Sequence, residues 1–230
     1  MVESAHGPAV LKVGNGRAGE DILDESKRLV WLNTRLGAPE IISHESWRGH
    51  QYLMLSYRPG FSAHERADLG AERVTALFAS QLRSIHALPI TQCPFVDVTN
   101  LELSNAVRAL DEKRIDLGAF RLDVGMEAPA VLELLLGGRS GIVEDIFTHG
   151  DLCLPNLIID DDRVSGVIDW GLAGVANRNR DFMSAELTIR RNFGEALIPV
   201  FYRAYGSSGG DASLVRYYWL LDRFSTHLLG

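Results

Sequence analysis

Between residues 148 and 171 the chain carries Thr148-His149-Gly150-Asp151-Leu152-Cys153-Leu154-Pro155-Asn156 and then Asp169-Trp170-Gly171, and no other stretch restricts the fold so tightly. The β-prone runs 157–159 and 164–168 flank an acidic turn, Asp160-Asp161-Asp162, and so predict a hairpin. A hairpin returns the chain to its starting point, which sets Asn156 at its entry near Asp169 at its exit. An amide and two carboxylates gathered in this way are hard oxygen donors for a divalent cation or its ligand. Three acids and an amide in a turn-rich region could also be only a solvated hairpin, so support is needed from elsewhere in the chain.

Composition narrows the setting. With 230 residues, 46% of them hydrophobic, the chain reads as an ordinary globular protein of one or two domains. Thirty acidic against 23 basic residues leave a formal charge of −7, which disfavours nucleic acid and anionic membranes and favours a cationic small molecule as partner. Cys93 and Cys153 make no disulfide framework. Nothing at the start resembles a secretory signal and no apolar run reaches the ~20 residues of a membrane span, so a cytoplasmic location is expected. Oligomeric state is not legible.

Residues 9–13 form a short strand pattern, followed by a Gly-rich stretch at 14–19 and an amphipathic helix over about 20–35. Strands are expected around 40–43 and 51–56, and Arg58-Pro59-Gly60 breaks the pattern. Beyond it lie helical patterns at 71–86, 101–117 and 129–136, the hairpin, and a helical tail from Asp181. This order predicts an α+β fold of two lobes, a β-rich part over 1–57 and a helical part over 58–230.

The spacing His149-x-Asp151, then Asn156, then Asp169-x-Gly171 is that of the protein-kinase catalytic signature, with Trp170 in the place of the kinase Phe. Lys12 in Ala9-Val10-Leu11-Lys12 stands in the context of the kinase strand lysine, and Glu25 on the next helix is its expected partner. The block from His149 to Asn156, with Gly150 in place of the Arg of H-R-D, resembles the aminoglycoside phosphotransferase family, and most of all its 3′-phosphotransferases. Asp24-Glu25 to Trp31-Leu32, Cys93-Pro94-Phe95, Ser165 to Asp169, Gly174 to Arg178 and Tyr217 to Asp222 look like the same enzymes. The resemblance implies a protein-kinase-like bilobal fold that moves the γ-phosphoryl group of ATP to a hydroxyl of a small, cationic molecule. It implies Asp151 as the catalytic carboxylate, Asn156 and Asp169 as Mg2+ ligands, and Lys12 and Glu25 at the nucleotide phosphates. It further implies adenine contacts from the hinge at Ser56 and Tyr57, and acceptor contacts from Asp116, Arg178, Asp181 and Asp222. His149 is expected to scaffold the loop, and Cys153 to be a packed residue.

Three departures shape the expectations. The stretch before Lys12 is too short for the two strands and phosphate-covering loop that precede this lysine in the family, so an incomplete front lobe with an unpaired edge and weak ATP binding is expected. Gly14-Asn15-Gly16-Arg17-Ala18-Gly19 satisfies G-x-G-x-x-G between a strand and a helix, but the acid a dinucleotide site needs at the end of the next strand is missing. On the acceptor side only Asp116 and Asp123 remain of an acidic cluster, and Arg223 follows Asp222 where a second acid would stand. The sequence therefore leaves three readings open: an aminoglycoside kinase, a kinase of the same fold for another alcohol, and an inactive binding remnant.

Overall fold

The computed structural model describes residues 2–4 and 7–229. Strands β1 (Val2–Ser4), β2 (Gly7–Asn15), β3 (Ile41–Trp47) and β4 (His50–Ser56) form an antiparallel sheet in the order β1-β2-β4-β3. The edge of β2 expected to be open is thus covered in part, because Val2, Glu3 and Ser4 pair with Ala9, Pro8 and Gly7. Helix α1 (Gly16–Leu32) leaves β2 with no intervening loop. Gly14 allows this tight turn, since a Cβ on it would stand 2.8 Å from the carbonyl carbon of Ala18. Most of the Gly-rich stretch is therefore helix, and Gly14 and Gly19 serve close strand–helix packing, while Gly16 starts the helix at φ +50°.

The hydrophobic face of α1 explains its docking. Ile22, Leu29 and Leu32 are buried in one cluster with Leu53 and Leu55 of β4. Lys12 pairs in register with Leu53, so it lies on the sheet face that α1 covers. The same helix is tied to the back of the molecule. Arg28 Nε donates to the Ala173 carbonyl at 2.6 Å, the guanidinium lies 4.7 Å from the Phe95 ring, and Trp31 Nε1 donates to the Gln92 carbonyl at 3.0 Å.

The second part holds α2 (Ala71–His86), α3 (Val98–Asp111), α4 (Leu117–Val124), α5 (Ala128–Gly138), α6 (Asn179–Phe193), α7 (Ile198–Tyr205) and α8 (Ala212–Thr226). Short strands lie among them: β5 (Phe61–Ser62), β6 (Ile146–Thr148), β7 (Leu157–Asp160), β8 (Arg163–Val167) and β9 (Gly174–Ala176). The expected hairpin is β7–β8, turning at Asp161 with φ +50°, and β6 pairs with β9. The single helix expected over 101–117 is instead two elements. Lys113 takes φ +55°, and Asp116 caps α4 by accepting from Ala119 N at 2.9 Å. Two cores result. One runs from α1 and β4 through α2 to Trp170 and Phe182, while α3, α4, α5 and α8 pack around Phe120, Leu135 and Phe224. No helix among the described residues is long and apolar enough to cross a membrane.

Candidate active site

The loop from β6 to β7 is pinned by burial on alternate residues. Leu152, Leu154 and Leu157 are fully buried, which leaves Asp151 on the open side. His149 is buried and makes both of its ring contacts to backbone: Nε2 to the Ile168 carbonyl at 3.0 Å and Nδ1 to Asp151 N at 3.3 Å. These contacts assign a neutral ring, donating from Nε2 and accepting at Nδ1. Burial accordingly pushes its pKa down to about 4. The imidazole scaffolds the loop, as expected of it. Cys153 is packed, and burial together with Asp151 pushes its thiol up to about 11, so it stays protonated.

Asn156 links the loop to the hairpin. Its Nδ2 donates to the Asp151 carbonyl at 2.9 Å, which fixes the amide so that Oδ1 is the atom left for a ligand, and its own carbonyl accepts from Ile168 N at 3.0 Å. Asp169 follows directly, in the left-handed region at φ +63°, with Trp170 buried behind it and donating Nε1 to the Val167 carbonyl at 2.7 Å. Trp170 stacks on Phe147 and packs against His149, so a core residue holds the turn that presents Asp169. Lys12 Nζ lies 2.9 and 2.7 Å from the two oxygens of Glu25 and also bonds Asp169. Asp151 is exposed, yet the surrounding protein and the charges of Asp222 and Asp169 raise its pKa to about 6, against the pull of Arg180.

A cleft runs past this loop between α1, α3, α6 and α8. Its walls include Asp21 and Asp24 of α1, Glu102 and Asn105 of α3, Arg180 of α6 and Asp222 of α8, with Gly150 and Gly171 at the floor. Of the residues expected to contact the acceptor, Asp222 is the one that lines it, and there it pairs with Arg223 and accepts from Thr226 Oγ1 at 3.1 Å. Three others need correction. Asp181 is fully buried and accepts from His149 N at 2.8 Å, Gly150 N at 2.7 Å and His86 Nε2 at 3.0 Å, so its carboxylate builds the loop and cannot reach a substrate. Asp116 is engaged as the cap of α4, outside the cleft walls. Arg178 is exposed at the start of α6, and Arg180, two residues on, lines the cleft together with Arg17 and Arg28.

The hinge pair is also changed in part. Ser56 N donates to the Glu40 carbonyl at 2.8 Å and Tyr57 N to the Pro8 carbonyl at 3.3 Å, so neither amide is free for a base. Sequence reasoning missed Asp21, Asp24, Glu102 and Arg180. The empty side chain at Gly150 was the one available signal for the last of them.

The profile described as the phosphotransferase enzyme family matches residues 1–218. The chain belongs to that family. The phosphotransferase is 33% identical over 219 residues to an aminoglycoside 3′-phosphotransferase of Niallia circulans, covering 94% of this chain and 84% of the relative. Among solved structures it is similar to an aminoglycoside-3′-phosphotransferase of type VIII, with TM-score 0.82 and 27% identity over 94% of this chain and 84% of that one. It shares the fold of the aminoglycoside phosphotransferase APH(3″)-Id from Streptomyces rimosus, with TM-score 0.84 and 24% identity over 97% of this chain and 88% of that one. The expected kinase-like α+β fold and phosphotransferase activity agree with these likenesses.

Proposed function

We propose that this phosphotransferase moves the γ-phosphoryl group of ATP to a hydroxyl of an aminoglycoside or a related amino-bearing small molecule. The observation that carries this reading is the exposed Asp151 directly after Gly150, which lines a cleft whose walls hold Asp21, Asp24, Glu102 and Asp222. The names of the relatives support it.

In the transfer, the acceptor hydroxyl oxygen forms a bond to the γ-phosphorus, the bond from phosphorus to the β–γ bridging oxygen breaks, and ADP leaves. Asp151 orients the hydroxyl and takes its proton as the new bond forms. Lys12, held by Glu25, neutralises phosphate charge. Asn156 Oδ1 and the Asp169 carboxylate are hard oxygen donors whose chemistry fits Mg2+, and the residues present match such an ion. When bound, the ion supplies charge neutralisation at the phosphates. Little covalent work is asked of the protein, so positioning and electrostatics dominate.

A second acceptor class has a specific observation in its favour. Asp222 is paired with Arg223, Glu102 with Arg180 and Asp24 with Lys27, so three of the four wall acids already hold a cation. An alcohol with fewer ammonium groups would suffer less from this. The deciding experiment is a phosphate-transfer assay with ATP and Mg2+ against kanamycin, streptomycin and a panel of neutral alcohols. Transfer to kanamycin that vanishes in Asp151→Asn supports the first reading; transfer to a neutral alcohol alone replaces it with the second.

A further inference from the structure

The space left by the missing side chain at position 150 is filled from elsewhere in the chain. Gly150 has φ +89°, and a Cβ built on it would stand 2.6 Å from Cζ of Arg180. The second residue of α6, Arg180 is almost wholly buried. Its Nη1 donates to Thr148 Oγ1 and to the Leu172 carbonyl, both at 3.1 Å. On the other side Nε donates to Glu102 Oε1 at 3.1 Å, and Nη2 bonds the same carboxylate. One planar fork thus joins the end of β6, the turn after Asp169, the backbone of Gly150 and the α3 wall of the cleft. From the next position, Asp181 holds the amides of His149 and Gly150. Adjacent residues of one helix therefore grip the peptide that leads into Asp151.

A buried ion pair adds little net stability over well-packed apolar side chains of the same volume, so stability alone is a poor reason for a cation here. Geometry is a better one. A guanidinium offers donors in a fixed plane, which lysine cannot imitate, and this plane meets both loops that carry the reacting groups. We propose that Arg180 is a positioning residue for phosphoryl transfer: its guanidinium, steadied by Glu102, fixes the Gly150 backbone and with it the Asp151 carboxylate relative to the turn that presents Asp169. This rests on the reading of Asp151 as the proton acceptor.

The experiment measures kcat, KM for ATP and KM for the acceptor in Arg180→Met, Arg180→Lys and Asp151→Asn, with folding followed by thermal melts. In Arg180→Met, kcat falls about 30-fold or more while KM for ATP stays within about threefold. Arg180→Lys keeps the charge and loses the fork, so kcat falls about tenfold. A role confined to stability would lower the melting temperature and leave kcat at saturating substrates alone. Should Arg180→Met fail to fold, Arg180→Lys and Glu102→Gln carry the test, each with a lowered kcat at saturating acceptor. Parental kcat in Arg180→Lys, or in a folded Arg180→Met, overturns the proposal. Asp151→Asn separates the two readings: retained transfer there removes the proton acceptor itself, whereas a dead Asp151→Asn beside a fully active Arg180→Lys removes only the role of Arg180.

Discussion

The ammonium of Lys12 lies 2.7 Å from Oε2 of Glu25, and this contact ties β2 to α1 at the point where both meet Asp169. Burial alone would lower the Lys12 pKa, but Glu25 and Asp169 outweigh it and the net shift is upward. The lysine therefore stays charged throughout the working pH range. Glu25→Gln weakens the hold on Lys12, and KM for ATP is expected to rise about tenfold with a smaller change in kcat. Steady-state kinetics at varied ATP checks this.

Asp151 must be ionised to take a proton, and its pKa is raised to about 6. The rate should therefore fall as pH drops through about 6, tenfold for each unit below it. In Asp222→Asn the largest of the three raising charges is removed, Asp169 and Asp181 being the others, so the acid limb should move to lower pH. A pH profile of kcat for both proteins measures the shift.

Removing the Asp181 carboxylate leaves two backbone amides without their acceptor and His86 without its partner. Asp181→Ala should cost about 3–5 kcal/mol of folding stability, the scale of breaking a buried charged network. Urea denaturation gives the number. If the carboxylate were instead a substrate contact, the loss would appear in acceptor KM with stability unchanged.

His149 is neutral and buried, with a folded pKa of about 4 against its ordinary value of 6.5. Between those values the unfolded chain binds the extra proton, so the stabilisation from this group is complete above pH 6.5 and is lost as pH falls toward 4. The loss is on the order of 3 kcal/mol. Melting temperature followed from pH 7 to pH 4.5 should drop steeply, and a folded His149→Gln variant should show a shallower fall.

Arg223 neutralises the cleft wall. Its Nη1 lies 3.1 Å from Asp123 Oδ2, Nη2 bonds Asp222, and the guanidinium stands 5.0 Å from the Trp219 ring. Arg223→Met keeps most of the packing and releases Asp222. Affinity for a cationic acceptor should then rise about five- to tenfold, the worth of one charge-assisted contact in a partly open site. Acceptor KM values for the two proteins test the direction.

The grouping of Lys12, Glu25, Asn156 and Asp169, which the proposed function assigns to the nucleotide, was legible because such chemistry fixes residue types and spacing together. Asn156 and Asp169 are brought near each other by a hairpin that any reader of turns can find, and Lys12 and Glu25 stand on a strand and helix with clear periodicity. The acceptor side was not legible, since one acidic residue serves several purposes. Asp116 caps a helix that hydrophobic periodicity had merged with α3, and Asp181 turns inward to hold a loop. Arg178 and Arg180 differ by two helical positions, about 200° around the axis, so a small error in where α6 begins exchanges the solvent side for the cleft. Arg180 left no periodic trace because its partners lie on α3, β6 and the turn after Asp169, and only tertiary structure assembles them.

Helix α1 takes its place in the chain from the sheet but is fastened through Arg28 and Trp31 to the carbonyls of Ala173 and Gln92. Glu25 is therefore carried on a rod anchored at both faces, by its apolar stripe to the sheet and by two polar ties to the helical part, and the Lys12–Glu25 contact is a natural place for a distance probe.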